Sequence, residues 1–145
     1  MIHDPHGILD DPTMHPALVL AVRATVCPVN FQITQGSRTQ AEEDALVASG
    51  KSQTSHSRHV PTQNRSGFCS AVDFVALNPD GTANWNAGTP EAGVYHDIGM
   101  AIVAAGAAQR IKMQWGGQAV GAWTDGVVST FHDWDHVQLD PSAYP

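Results

Sequence analysis

The chain has 145 residues, 42% of them hydrophobic, and a formal net charge of -7 at pH 7. This length is enough to bury a core, and we expect one domain over residues 1–145. The excess of acidic residues argues against nucleic-acid binding, because few Lys and Arg side chains remain to neutralise phosphates. It also argues against a polybasic membrane anchor, and the absence of 18 consecutive apolar residues predicts no membrane insertion.

The N-terminal segment MIHDPHGILDD has neither the basic start nor the apolar centre of a secretory signal peptide. We therefore expect the protein to be made in the cytoplasm without a signal peptide. For such a chain, Cys27 and Cys69 are expected to be free thiols, although they could also pair. The sequence has no CxxC motif, which argues against a zinc site built from cysteines.

The first third of the chain predicts two helices and a strand. Residues 1–14 are polar and contain prolines, so we expect an irregular lead-in. A helix is predicted over 15–27, where Pro16 suits the first turn and apolar residues recur on one face. Alternation of apolar and polar residues predicts a half-buried strand over 30–36. A capping-box pattern and a terminal glycine delimit a second helix over 39–50.

The middle of the chain predicts a loop followed by a hairpin. Residues 51–70 have few apolar side chains and read as a long loop, and such loops are usually functional or mobile in compact domains. The apolar stretch 71–77 predicts a buried strand. The sequence Asn-Pro-Asp-Gly at 78–81 is typical of a tight turn, so we expect the partner strand at 82–86.

The last part of the chain adds one helix and two strands. We expect a helix over 90–108, with a proline at its start, and a strand over 111–117, where large apolar residues alternate with polar ones. A short final strand is predicted at 136–139. Helices and strands interleave, but the hairpin and the short strands favour a small, mostly antiparallel sheet with flanking helices. The fold class is therefore predicted to be α+β.

One acidic residue, Asp73, lies inside the otherwise apolar strand 71–77, where an unpaired carboxylate would cost several kcal/mol to bury. Two histidines, His59 and His136, could join it as metal ligands. A catalytic zinc site needs three protein ligands and an open position for water. A nearby carboxylate, Asp133, could then serve as general base.

Other interpretations of these residues remain open at this point. A histidine near a strand is more often a surface or hydrogen-bonded residue than a metal ligand. Asp133 and Asp135 could simply cap a loop.

The order of the short motifs resembles that of the M15 family of zinc peptidases, which includes VanY-like D,D-carboxypeptidases and phage L-alanyl-D-glutamate endopeptidases. The motifs are Ser-x-His at 57–59, Ala-Val-Asp within 70–77 and Asp-x-x-His-x-x-Leu at 133–139. Two further segments agree with the family. Residues 31–52 resemble its strand, Gly-x-Arg-Thr turn and helix, and 113–117 resemble its Trp-Gly-Gly segment. The resemblance covers about residues 8–140.

The resemblance implies a Hedgehog/D,D-peptidase-like fold and a role for each matching residue. His59, Asp73 and His136 would bind Zn²⁺, and Asp133 would be the catalytic carboxylate. Arg38 would be a catalytic and substrate-binding residue, and its guanidinium suits a peptide carbonyl, a carboxylate or a developing oxyanion. Without the family, Arg38 would be read as a surface arginine at a helix start.

Two departures from the family pattern lie between the first two predicted ligands. Thirteen residues, 60–72, separate them where the family has about six, and we expect the insertion to form a surface flap beside the metal. His56 is a nearby alternative ligand, but only His59 completes the Ser-x-His motif. Cys69 replaces a glycine of the family and is expected to be a packing residue rather than a metal contact.

The resemblance implies a phage or prophage endolysin that hydrolyses the peptidoglycan stem peptide, at the L-Ala–D-Glu bond, and so lyses the host cell. One alternative is a D,D-carboxypeptidase that removes the terminal D-Ala. Another is a non-catalytic, metal-stabilised domain that binds the cell wall. We expect a monomer with no separate cell-wall-binding domain, which acts on the wall from the periplasm after its release from the cytoplasm.

Overall fold

The structure, a computed structural model, describes residues 1–52, 54, 56–86, 93–117 and 133–145. Within these residues, one sheet contains the strands β1 (Ile2–His3), β2 (Phe31–Gln35), β3 (Ala71–Leu77), β4 (Ala83–Asn84), β5 (Met113–Trp115) and β6 (His136–Leu139). Three helices accompany it: α1 (Pro16–Arg23), α2 (Gln40–Ala48) and α3 (Gly93–Ala108). Short 3-10 turns lie at Ile8–Asp10 and Pro61–Gln63.

The strand order is β1-β2-β3-β6-β5, and β4 pairs with β3. Only the pair β1–β2 is parallel among the described strands, and the others are antiparallel. The predicted α+β fold with a mostly antiparallel sheet is therefore confirmed. None of the helices in the described part of the chain is long and apolar enough to cross a membrane.

The helix boundaries follow from local signals. The predicted capping box at the start of α2 is present: the Thr39 side chain accepts from Glu42 N–H, and the Glu42 carboxylate accepts from Thr39 N–H. The helix α1 ends at Arg23 instead of Cys27, with Ala24 as its C-cap. Pro28 disfavours a helical conformation at Cys27 but does not account for the earlier end. The predicted start of the third helix, 90–92, lies outside the described residues.

The expectation of an irregular lead-in over residues 1–14 is partly wrong. The first residues form β1, which adds a parallel strand to β2, and the Asp4 carboxylate accepts from the N–H groups of Ile8 and Leu9 at 2.8 Å to form the next turn. A strand of two residues shows no periodicity, so its pairing could not be read from the sequence.

The two faces of the sheet differ in composition. On β3, Val72, Phe74 and Ala76 point into the hydrophobic core that the sheet forms with α1 and α3. Tyr95 of α3 stacks on Phe74 with a centroid distance of 5.8 Å. Because successive residues of a strand alternate, Asp73 points to the opposite face. That face carries the polar residues discussed next.

Candidate active site

Two of the predicted ligands are directly opposite each other in the sheet. Asp73 of β3 pairs with His136 of β6 in the antiparallel register. Side chains at such positions lie on the same face within contact distance, and His136 Nδ1 is 2.9 Å from Asp73 Oδ1. The register of two strands thus brings together residues that are 63 positions apart.

The third predicted ligand, His59, reaches this pair from the loop before β3. Its backbone carbonyl accepts from Arg38 N–H at 2.9 Å, and its Nδ1 is 2.7 Å from the Gly36 carbonyl oxygen. These contacts orient His59 Nε2 to 3.1 Å from Asp73 Oδ1 and 3.3 Å from His136 Nδ1. His59 is buried and His56 is exposed, so the structure favours His59 over the alternative.

The donor set of this cluster fits a metal ion. A carbonyl oxygen can only accept, so the Gly36 contact puts the proton of His59 on Nδ1 and leaves a lone pair on Nε2. By the same reasoning, the Gln138 carbonyl oxygen 3.1 Å from His136 Nε2 leaves a lone pair on Nδ1. Two nitrogen lone pairs and a carboxylate oxygen then face one another within 4.8 Å, which requires a cation or a proton between them. Two imidazoles and a carboxylate are a common donor set for catalytic zinc.

The charges in the cluster reinforce one another. Burial raises the pKa of the Asp73 carboxyl, but His59 and His136 lower it by more, and the net pKa is well below its ordinary range. Burial lowers the pKa of His136, but Asp73 and Asp133 raise it to about 9 in the absence of a metal. A buried carboxylate is therefore maintained next to imidazoles that attract protons or cations.

Arg38 is the fourth residue at this site, and it faces inward. Its two terminal guanidinium nitrogens lie 3.0 Å from Asp73 Oδ2 and 3.1 Å from Glu43 Oε2. Glu43 is fully buried and also accepts from the Ser52 hydroxyl at 2.5 Å. Since Arg38 binds one oxygen of Asp73, the other oxygen is directed at the two histidines. The sequence does not predict the burial of Glu43, which lies in a helix rich in acidic residues.

Beside Arg38 runs a surface groove of about 380 Å³ between the end of β2 and the helix α2. Its lining includes Gln35, Arg38 and Lys51. The side chain of Arg38 is 15% exposed, so part of it borders this groove while its end pairs with Asp73 and Glu43. The groove thus lies on the α2 side of Arg38, and none of the three predicted ligands lines it.

Asp133 is fixed in place by the Trp-Gly-Gly segment. The backbone N–H of Asp133 donates to the Gly116 carbonyl at 3.1 Å, and the Trp115 indole donates to the Trp134 carbonyl at 2.8 Å. A Cβ atom on Gly116 would lie 2.3 Å from the Asp133 carbonyl oxygen, so only glycine allows this approach. The Trp-Gly-Gly segment, one of the motifs that resemble the family, thus supports the turn that precedes His136.

The Asp135 carboxyl lies within hydrogen-bonding distance of the Asp133 carboxyl. Burial, a hydrogen bond to the Asp133 carboxyl and the charge of Asp73 together raise the pKa of Asp135 to about 7. Near neutral pH the Asp135 carboxyl thus carries a proton in part of the molecules and can donate it in a hydrogen bond to Asp133.

The insertion between the first two predicted ligands is a well-connected surface loop. The buried Asn64 side-chain amide donates to the carbonyls of Arg58, Val60 and Phe68. Gln63 donates to the Gln40 side chain at the start of α2, two positions after Arg38. Polar bonds thus hold the loop on the α2 side, and the buried Val60 adds apolar packing at its start. Its expected role as a surface flap beside the metal stays a prediction.

Both cysteines are free thiols. Cys69 is buried, burial raises the pKa of its thiol to about 12, and its Sγ donates to the Ala71 carbonyl at 3.1 Å. Its backbone bonds to Thr13 and His15 on the N-terminal segment. Cys69 is therefore a packing residue, as expected, and it does not belong to the metal-competent group of His59, Asp73 and His136.

Comparison with known proteins finds that the chain is similar to peptidases. The sequence model of the phage L-alanyl-D-glutamate peptidase family matches residues 10–140 of the chain. The crystal structure of the L-Ala D-Glu endopeptidase ChiX from Serratia marcescens is similar, with a TM-score of 0.69 and 30% sequence identity. The match covers 100% of this chain and 94% of that one. Among curated proteins, no sequence matches the chain.

Proposed function

This chain belongs to the phage L-alanyl-D-glutamate peptidase family, and we propose that it cuts the L-Ala–D-Glu bond of peptidoglycan with a zinc ion held by His59, Asp73 and His136. The observation that carries the ligand assignment is the convergence of two imidazole nitrogens and one carboxylate oxygen within 4.8 Å. Their tautomers, inferred from the bonds to Gly36 and Gln138, are those that a divalent cation requires.

The chemistry that a bound zinc supplies is Lewis acidity, which polarises a carbonyl group and makes water more acidic. Asp133 acts as the general base: its carboxylate accepts a proton from the attacking water and returns it to the leaving amine. Asp133 lies three residues before His136, and its backbone N–H is bonded to the Gly116 carbonyl. Its negative charge raises the pKa of His136. The Asp135 carboxyl, whose pKa is raised to about 7, forms a hydrogen bond with Asp133.

Arg38 holds Asp73 by one carboxylate oxygen and faces the groove with the rest of its side chain. A guanidinium has five N–H donors, and its contacts with Asp73 and Glu43 leave others for a substrate. We assign Arg38 the binding of a peptide carbonyl or carboxylate next to the scissile bond. Lys51 on the same groove adds a second positive charge for an acidic stem peptide.

Of the peptidase alternatives, the endopeptidase is favoured over the D,D-carboxypeptidase, because the family and ChiX are both described as acting on the L-Ala–D-Glu bond. The same likeness to peptidases argues against a purely binding role. The family acts on the cell wall. We further propose that the protein is a monomer and that it acts on the wall in the periplasm.

The test is product analysis after digestion of purified peptidoglycan by the zinc-loaded protein. New N-terminal D-Glu is the expected product. Free D-Ala instead would show a D,D-carboxypeptidase, and no product would support a binding domain. Anomalous scattering at the zinc edge identifies the metal and its ligands. Density for a metal bound elsewhere than His59, Asp73 and His136 would overturn the ligand assignment.

A further inference from the structure

A chain of polar side chains extends from the metal-competent cluster across the sheet. Gln138 lies two residues after His136 on β6 and therefore on the same face. Its Oε1 is 3.1 Å from His136 Nε2, and its Nε2 donates to Gln114 Oε1 at 3.1 Å. Gln114 lies on β5 directly opposite Gln138 in the antiparallel register. Gln138 is buried, so its amide needs partners at both ends.

The two ends of a glutamine amide are not equivalent, because one accepts and the other donates. With Oε1 toward His136, the imidazole must present a proton at Nε2 and a lone pair at Nδ1. With the amide reversed, the NH₂ group would require a lone pair at Nε2, and the proton would move to Nδ1. That atom lies 2.9 Å from Asp73 and 3.3 Å from His59, where the metal is proposed to bind.

We propose that Gln138 is a positioning residue that sets the metal-binding tautomer of His136, and that Gln114 sets the orientation of Gln138. The acceptor on Gln114 holds the NH₂ end of Gln138 away from His136. We call this series of hydrogen bonds, Gln114–Gln138–His136–Asp73, the relay. It runs over three strands, from β5 through β6 to β3. This inference rests on the proposed function, because it assumes that His136 binds the metal through Nδ1.

The first test changes Gln138 in two ways and measures zinc affinity by competition with a chromophoric chelator. Gln138→Leu removes the acceptor, and we expect zinc affinity to fall about 10- to 100-fold, as for other partners of metal-binding histidines. Gln138→Glu keeps an acceptor at the same position and should retain the affinity. Equal losses in both variants, or no loss in Gln138→Leu, would overturn the proposal.

The matched control is Gln32→Leu. Gln32 lies on the polar face of β2, opposite Val75, so the same substitution is made on the same face of the sheet. We expect this variant to bind zinc as the unchanged protein does. A loss equal to that of Gln138→Leu would show a general effect of apolar substitution and would contradict the relay.

The second test addresses Gln114. Gln114→Glu keeps an acceptor for the Gln138 amide, whereas Gln114→Lys offers only donors and should reverse it. We expect Gln114→Lys to lose zinc affinity and Gln114→Glu to keep it. Nitrogen-15 NMR of the zinc-loaded protein reports the ring proton of His136 directly. It should be on Nε2 and slow to exchange in the unchanged protein, and fast to exchange in Gln138→Leu.

The outcomes separate this inference from the proposed function. If the unchanged protein neither binds zinc at the three residues nor cuts peptidoglycan, the proposed function fails. If it does both, and the Gln138 and Gln114 variants match it in zinc affinity and in the His136 ring signals, only the relay is wrong.

Discussion

The two faces of the β3–β6 pair share one backbone but are held together by different physics. On one face, Phe74, Val137 and Leu139 are buried in the hydrophobic core. On the other, Asp73, His136 and Gln138 are linked by hydrogen bonds of 2.9 and 3.1 Å. The apolar face gains from many small, non-directional contacts. The polar face depends on a few directional contacts, and its buried groups are costly without partners.

This difference implies that substitutions on the apolar face reduce stability, whereas substitutions on the polar face reduce metal binding and activity. Residues of β6 that point to opposite faces allow the two effects to be compared within a single strand.

The largest effect is expected for His136→Ala. It removes one of three proposed ligands, so metal binding at neutral pH and hydrolysis should both be lost. The comparison is Leu139→Ala on the opposite face, which should cost about 2–5 kcal/mol of stability while each folded molecule still binds metal. Metal stoichiometry and urea unfolding measure both quantities. Full metal occupancy in His136→Ala would show that the ligand set is wrong.

Next in size is Asp133→Asn, which should separate chemistry from metal binding. The amide is nearly isosteric, so fold and metal content should survive. It cannot accept the proton of the attacking water, and we expect the rate to fall about 10²- to 10⁴-fold.

Asp135→Asn is the comparison for this variant. The amide that it introduces can still donate a hydrogen bond to the Asp133 carboxylate, so the rate should change much less. Rates on purified peptidoglycan and metal stoichiometry are the measurements. Near-normal hydrolysis by Asp133→Asn would move the catalytic role to Asp135.

Gly116→Ala is expected to act through Asp133 without touching the proposed ligands. The added Cβ would lie 2.3 Å from the Asp133 carbonyl oxygen, so the turn must shift. A displacement of this kind can cost about 10²-fold in rate, and metal affinity should change little. Gly93→Ala is a suitable control for glycine replacement, since a Cβ there meets nothing within 4 Å and its φ is not positive. Equal rates for Gly116→Ala and the unchanged protein would contradict the role of the Trp-Gly-Gly segment.

The smallest effect is a dependence of metal affinity on pH. In the metal-free protein, Asp73 and Asp133 raise the pKa of His136 to about 9, so this residue is protonated at pH 7. Metal binding must displace that proton, and the apparent affinity should rise about tenfold per pH unit between pH 7 and pH 9.

The stability of the metal-free protein changes with pH in the opposite direction. The raised pKa stabilises the metal-free protein below the ordinary histidine value of 6.5, and this contribution is lost as the pH rises through 9. Metal titrations and thermal unfolding over this pH range check both trends. A flat affinity profile would mean that His136 is already neutral at pH 7.

Much of the fold could be predicted from local patterns. The helix α2 follows its capping box, and β6 coincides with the predicted residues 136–139 because a short apolar alternation there is bounded by polar turns. The strand β1 and the end of α1 were missed or misplaced. A strand of only two residues is too short to show the alternation of apolar and polar residues that predicts a strand. The end of a helix depends on a few competing contacts and is hard to place to the residue.

Of the site, short-range motifs identified His59, Asp73, Asp133, His136 and Arg38, and the structure brings three of them, His59, His136 and Arg38, together around Asp73. Gln138 could have been predicted as a site residue, because residues two apart on a strand lie on the same face, and Gln138 follows His136 by two positions. The burial of Glu43 could not, because its role depends on Arg38 being turned inward.

The amino-acid sequence alone therefore determined the residue types, their motif order and the elements that carry them, because these depend on neighbours along the chain. Only the tertiary structure decided which oxygen of Asp73 faces the histidines, which ring nitrogen of each histidine faces the cluster and that the pKa of Asp135 is raised beside Asp133. These properties depend on contacts between strands and loops far apart in the chain, such as the bond from His59 to Gly36 and that from Gln138 to Gln114. Strand register and loop packing create those contacts, and no local pattern encodes them.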